Sequence, residues 1–281
     1  MVTRQLFFWI YILFLKTSLV SGYIYRDVFI NGCSGSVNPK SKGLTMELYE
    51  YPYLNPIVEC PDGTLDCREY DTNDLGTAAC VNDNFKYANY PRYGFKEQKL
   101  IAKVEGVASK PGEGGTLDFD IDSSMSCVPQ LSTLPIAYNY KEEFHTTNFS
   151  MLLHGYFKPL ESGDYSFYVE GSTEVLVSIG HGIAFNCCSY DETANDFKYV
   201  AIYSNDDLPP HSSFHAHRFY LEKGVYYPIR IFYLNADKRA RFEFSFRKGG
   251  ADGISDGIKI EDLSPYFFSF VDEAEGCLNT I

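Results

Sequence analysis

The chain of 281 residues has one tryptophan, four methionines and no unbroken apolar stretch of the ~18 residues that a membrane-crossing helix requires. Helical periodicity is missing as well. No segment of about 12 residues or more repeats apolar side chains at the helical spacing, which sets aside bundles and doubly wound α/β folds. Positive charge is scarce: 24 Lys plus Arg stand against 37 Asp plus Glu, a net charge of −13. Such a surface repels phosphate backbones, so nucleic acid is not an expected partner. Phosphate-binding loops, G-x-G-x-x-G turns, H-E-x-x-H helices, EF-hand loops and G-x-S-x-G elbows are all absent. No close C-x-x-C pair offers a zinc site. The chain is therefore not read as an enzyme.

Aromatic residues are plentiful, with 23 Tyr and 22 Phe, and they suit strands and binding surfaces. Arg4 precedes a ten-residue apolar run, Leu6–Leu15, and Val20-Ser-Gly22 supplies the small residues that a signal peptidase reads. Residues 1–22 are expected to be a signal peptide and 23–281 the exported domain. All eight cysteines lie beyond that cut, and an even count in an exported chain favours disulfides. Asn148-Phe-Ser150 is the only N-glycosylation sequon.

The mature chain alternates in short bursts. Leu44–Tyr49, Gln98–Val107, Leu117–Asp122, Phe149–Phe157, Tyr165–Val169 and Glu174–Ile179 read as strands. So do Gly182–Phe185, Phe214–Leu221, Val225–Leu234, Arg239–Phe246 and Tyr266–Val271. Glycine-bearing turns separate them, which indicates an all-β sandwich or barrel. Leu117, Phe119 and Ile121 share one face and Asp118, Asp120 and Asp122 the other, a solvated strand face rather than a cation site. Phe242, Phe244 and Phe246 point inward by the same alternation. Residues 59–84 break the pattern with seven acids, one base and three cysteines. Too poor in aliphatic residues to order itself, this stretch is expected to be an insert stapled by disulfides.

Few polar clusters suggest chemistry. His211, His215 and His217 lack a carboxylate or cysteine at ligand spacing and read as loop and edge-strand polars. Asn235 and Asp237 follow a strong strand, but two oxygens are too few where calcium takes about six to eight. On the residues alone, this is a polar hairpin turn.

The order of segments nevertheless resembles the PA14-type adhesion domain of fungal flocculins and epithelial adhesins over roughly residues 30 to 277. The resemblance rests on Gly43-Leu-Thr-Met-Glu-Leu-Tyr-Glu-Tyr-Pro52, on Gly115–Asp122 leading to Cys127, and on Leu153-His-Gly-Tyr-Phe157 running on to Phe167. Ala184-Phe-Asn-Cys-Cys188, Gly224-Val-Tyr-Tyr-Pro228 running on to Asn235, and Tyr266-Phe-Phe-Ser-Phe270 before Cys277 complete it. The resemblance implies a PA14-type β-sandwich in which Cys187 and Cys188 pair with Cys33 and Cys277, in an order left open. It implies a lectin-like role in cell adhesion and flocculation at the cell surface or wall, the partner being a glycan or another wall component.

Family lectins hold terminal sugars through calcium, using two adjacent aspartates joined by a cis peptide and a second loop bearing an Asn. The aspartate positions fall on Ser172 and Thr173, and the Asn on Asn235, with Asp237 beside it. The carboxylate pair is thus missing, and Glu170 and Glu174 stand out of register to replace it. The expectation is a secreted or surface recognition domain with a degenerate or calcium-independent site, Ca2+ being at most a doubtful cofactor held by Asn235 and Asp237. A structural module that has lost its ligand, and a secreted glycan-processing enzyme or its accessory domain, are the alternatives. The chain closes at Leu278-Asn-Thr-Ile281 without a Ser/Thr-rich stalk or hydrophobic tail. It therefore reads as a free secreted domain, a truncation or a fragment of a longer gene.

Overall fold

A computed structural model describes residues 30–33, 37–39, 41–50, 99–122, 131–146, 149–172, 174–190, 218–235, 239–249 and 257–271, with the backbone of 58–59, 65–66 and 201–204. Among the described residues sixteen strands occur in order: β1 Leu44–Glu50, β2 Val58–Glu59, β3 Leu65–Asp66, β4 Lys99–Val107, β5 Phe119–Asp122, β6 Leu131–Ser132, β7 Phe144–His145 and β8 Phe149–Phe157. They continue with β9 Gly163–Gly171, β10 Glu174–Ile179, β11 Ala201–Ser204, β12 Arg218–Leu221, β13 Tyr227–Asn235, β14 Arg239–Lys248, β15 Ile258–Ile260 and β16 Phe267–Phe268. The expected signal peptide, nearly all of the insert, Asn148, the histidines 211, 215 and 217, and Cys60, Cys67, Cys80, Cys127 and Cys277 lie outside the described residues.

Two antiparallel sheets face one another. The first runs β11-β10-β13-β8-β1-β4, and the second runs β12-β9-β14-β15 with β5 also on β14. β1 leaves the edge of β8 at the pair Thr45–His154, and β16 takes over at Tyr156 and Phe157. The exchange requires Gly155, since a Cβ there would fall 2.4 Å from the carbonyl oxygen of Phe268. Strand alternation does the rest. Met151, Leu153 and Phe157 of β8 and Ile229, Ile231 and Tyr233 of β13 share one core with Tyr165, Phe167 and Val169 of β9 and with Phe242, Phe244 and Phe246 of β14.

Aromatic rings join the layers. Phe157 meets Phe246 edge-on at 4.9 Å between centroids and Phe167 at 5.4 Å, while Tyr233 meets Phe242 at 5.3 Å and Phe119 at 5.4 Å. Such contacts add about 0.5–1.5 kcal/mol per pair to the burial itself. Asp120 forms a paired bridge with Arg239, and Asp118 Oδ1 accepts the Phe244 amide at 3.0 Å, so both belong to a wet strand face.

One expected strand is absent. Gly182–Phe185 forms turns, the amides of Ile183 and Ala184 both bonding to the carbonyl of Gly180 at 3.2 and 3.0 Å. This segment crosses the outer face of the first sheet and carries the Cys33–Cys187 disulfide, which joins positions 154 residues apart. Cys188 is disulfide-bonded too. A second apolar cluster gathers there from Cys33, Val37, Tyr156, Ala184, Phe185 and Val271, with Tyr190, Tyr226, Phe268 and Phe270 around it.

Because that outer face is covered, β8 and β13 are buried on both sides, and polar residues on it are trapped. Glu47 is 2 % exposed and His154 3 %. The Glu47 carboxylate accepts hydrogen bonds from Lys103 Nζ and Tyr49 Oη, each at 2.7 Å. His154 Nε2 stands 3.7 Å away, too far for a hydrogen bond, and its ring stacks on Tyr190 at 4.3 Å. Burial alone would raise the carboxyl of Glu47. The attraction of His154, Lys103 and Tyr49 outweighs it and holds the group down to about 2 from its ordinary 4.5.

Two expectations follow from these ties. A ring closed across 154 residues restricts the unfolded chain strongly, so Cys33→Ser/Cys187→Ser lowers stability by about 2–5 kcal/mol in urea unfolding. Glu47 has a depressed carboxyl, so its contribution is complete above its ordinary value of 4.5 and fades as pH falls toward about 2. Glu47→Gln should therefore flatten the fall in urea midpoint across that acid window, and an unchanged pH slope would remove Glu47 as its source.

Candidate functional site

Two connections cross between the sheets at one end of the sandwich. β9 lies in the second sheet and β10 in the first, and two residues, 172 and 173, join them. β13 and β14 make the return crossing through residues 236–238. Register sets the crossings side by side, because Glu174 pairs with Leu234 across the first sheet and Gly171 with Phe242 across the second. The turn out of β9 leaves no room for a side chain at Gly171, where a Cβ would lie 2.5 Å from Val175 Cγ2.

Ser172 closes the β9–β14 ladder. Its amide donates to the Arg241 carbonyl at 2.9 Å, and its Oγ accepts the Arg241 amide at 2.5 Å. Arg241 in turn reaches Glu170 with its guanidinium at 2.8 Å and stands 4.0 Å from Glu243, which Lys259 also approaches at 3.5 Å. Glu170 additionally accepts the Tyr168 hydroxyl at 2.9 Å. That hydrogen bond, after burial itself, pushes the Tyr168 phenol up to about 12.

On the other crossing, Asn235 is fully buried, and its Nδ2 donates to the Thr146 carbonyl at 2.6 Å. This bond ties the segment entering β8 to the end of β13. Of the four positions singled out in the sequence, Ser172 and Asn235 therefore share one end of the molecule. Thr173 and Asp237 lie outside the described residues.

The described members of the donor set do not by themselves make a calcium site. Among the described residues no three His, Cys, Asp or Glu side chains group as a metal site. Ser172 Oγ is occupied by a backbone amide, Asn235 is a neutral amide held inside the protein, and Glu170 is paired with Arg241. Calcium draws its affinity largely from anionic oxygens free to turn toward it. Asn235 has a structural part here, played by its Nδ2.

Arg241 and Thr146 escaped sequence reasoning because their part is played by backbone atoms, which no residue type advertises. Glu47 escaped it because the alternation of Leu44–Tyr49 puts it opposite the apolar side chains, and His154 because no other polar residue groups with it along the chain. One general signal was present: β8 and β13 are apolar on both faces over much of their length, the mark of a doubly covered strand.

Comparison with known proteins covers this same region. Residues 149–248, which hold β8 to β14 and both crossings, match the GLEYA domain. The A domain of epithelial adhesin 6 from Candida glabrata, solved with Galβ1-3GlcNAc, is 33 % identical and superposes with a TM-score of 0.67 over 90 % of this chain and 98 % of that one. The A domain of epithelial adhesin 9 from the same yeast, solved with Galβ1-4GlcNAc, is 30 % identical with a TM-score of 0.65, covering 89 % and 99 %. The flocculation protein FLO1 of Saccharomyces cerevisiae is 26 % identical over 227 residues, 69 % of this chain. The match spans only 14 % of that much longer protein. With the sandwich and crossings in place and solved relatives matched over nearly their whole length, the chain belongs to the PA14-type adhesion domains of the flocculins and epithelial adhesins.

Proposed function

We propose that this domain acts at the cell surface by binding terminal glycans at the end of the sandwich formed by the β9–β10 and β13–β14 crossings. The observation that carries the reading is the register that sets these crossings side by side, on a scaffold whose solved relatives were captured with galactosides. Residues 1–22 direct export and are removed, Asn148 carries a glycan, and Cys188 pairs with Cys277. The acidic insert at 59–84 is held by its own disulfides.

The domain works by holding rather than by transforming. A sugar offers hydroxyls that exchange bonds to water for bonds to protein, each worth a net ~0.5–1.5 kcal/mol, so one site binds modestly. Display of many copies on a wall converts that modest affinity into firm attachment, since each later contact forms at high effective concentration. Flocculation or attachment to a host surface are the forms such adhesion takes.

A glycan array probed with the full chain, secreted through an oxidising route, tests the reading. Binding to galactose- or mannose-terminated probes is expected, weak for the monomer and strong when the chain is clustered on beads. Silence on every probe in both formats would leave the scaffold without this activity.

A further inference from the structure

We infer that His181 serves the closing of the Cys33–Cys187 disulfide: its imidazole takes the proton of the Cys187 thiol, so that this sulfur attacks Cys33 near neutral pH, after which the bond is shut inside the molecule. The inference concerns how the covered face is made and stands apart from the glycan reading.

Local contacts place the imidazole. The amides of Ile183 and Ala184 bond to the carbonyl of Gly180, and the amide of Gly182 bonds to the carbonyl of Phe185 at 3.0 Å. The chain so folded returns Cys187 to His181, whose Nδ1 accepts the Cys187 amide at 3.2 Å and lies 3.4 Å from Cys187 Sγ. A nitrogen that accepts carries a lone pair, so the proton of the neutral ring is assigned to Nε2. A disulfide sulfur has no proton to offer that lone pair, and the contact is idle in the finished molecule. In the reduced chain the same sulfur is a thiol, and the distance then suits an S–H···N bond along which the proton passes.

Only six positions separate His181 from Cys187, whereas the disulfide joins positions 154 apart. Short loops close quickly and at low entropic cost, so the imidazole meets the thiol before Cys33 arrives. The main chain then brings Cys33 in: the His181 amide donates to the Asn31 carbonyl and the Cys33 amide to the Tyr226 carbonyl, each at 2.7 Å. Afterwards Cys33 is 3 % exposed and Cys187 8 %, while His181 stays exposed and exchanges its proton with water. The other titratable groups around the bond are Tyr156, whose hydroxyl donates to the Cys187 carbonyl, Tyr190 and Tyr226, with Lys158 over the Tyr226 ring at 4.3 Å. Phenols and ammonium groups ordinarily titrate near pH ~10, whereas imidazole is the side chain suited to proton transfer near neutrality.

An oxidised small disulfide, RSSR, balances the step. Cys33 first exchanges with it, giving Cys33–S–SR and RSH. His181 takes the Cys187 proton, and the thiolate bonds to Cys33 Sγ. The bond to SR breaks, and RS− leaves with its electron pair and picks up the proton. Two thiols have lost two electrons, and RSSR has become two RSH.

The test refolds the reduced full chain in glutathione with glutathione disulfide and quenches it with acid. Mass spectrometry then follows the Cys33–Cys187 peptide from about pH 6 to about pH 9.5, for wild type, His181→Asn and His181→Ala. An ordinary thiol titrates near ~8.5 and is only a few per cent ionised at about pH 7, so a neighbouring base matters there and little in alkali. Both variants are expected to close the bond about tenfold more slowly at about pH 7 and at the wild-type rate at about pH 9.5, with free imidazole restoring His181→Ala. Asparagine keeps an acceptor for the Cys187 amide but takes no proton. His181→Asn closing at the wild-type rate at neutral pH would make the contact structural and overturns the inference, as does slowing by one factor at every pH. Should the variants not fold, wild type decides. Closure that slows less than about tenfold per pH unit below about pH 8 supports the inference, and the full slope of an unassisted thiol overturns it.

Discussion

Everything in this domain hangs on two neighbouring strands, β8 and β13, being covered on both faces. Their inward side chains fill the space between the sheets, and on the outer face Tyr156 of β8 belongs to a second apolar cluster that Cys33 and Cys187 pin in place. A strand in that position cannot tolerate a shift of one residue, because every side chain would change sides and Phe157 would trade places with Tyr156. Register is therefore held hard along these strands. The ends of β13 and its neighbour β10 are held with it, and that is where the crossings emerge.

Double coverage also explains the chemistry of the outer face. Glu47, His154 and Arg230 would be unremarkable on a wet sheet, yet here all three are buried. The carboxylate survives because Lys103 and Tyr49 reach it, and its lowered pKa records that compensation. Removing one partner from such a group is far more damaging than its net contribution suggests, since the other is left without water. The face that carries the cover is thus specified by polar contacts as well as by aromatic ones.

The end where the crossings emerge follows a different economy of atoms. Among the described residues it is tied by bonds to main-chain groups, Ser172 on Arg241 and Asn235 on Thr146.

Much of this was legible in the residues. The period of two in Leu44–Tyr49, Leu117–Asp122 and Arg241–Phe246 determined strands and their inward faces, because a pleated backbone sends alternate side chains to opposite sides whatever else surrounds it. The wealth of phenylalanine and tyrosine determined that the core would be aromatic, and the even number of cysteines that it would be braced. Gly182–Phe185 misled, since an apolar run of four residues is the same string in a strand and in a turn. What the fold alone decided is which residues meet. Ser172 and Arg241 are 69 positions apart, and Asn235 and Thr146 are 89. Their bonds exist only because two sheets stack and trade strands at one end, and contacts of that span are set by the closed three-dimensional chain, not by any local pattern along it.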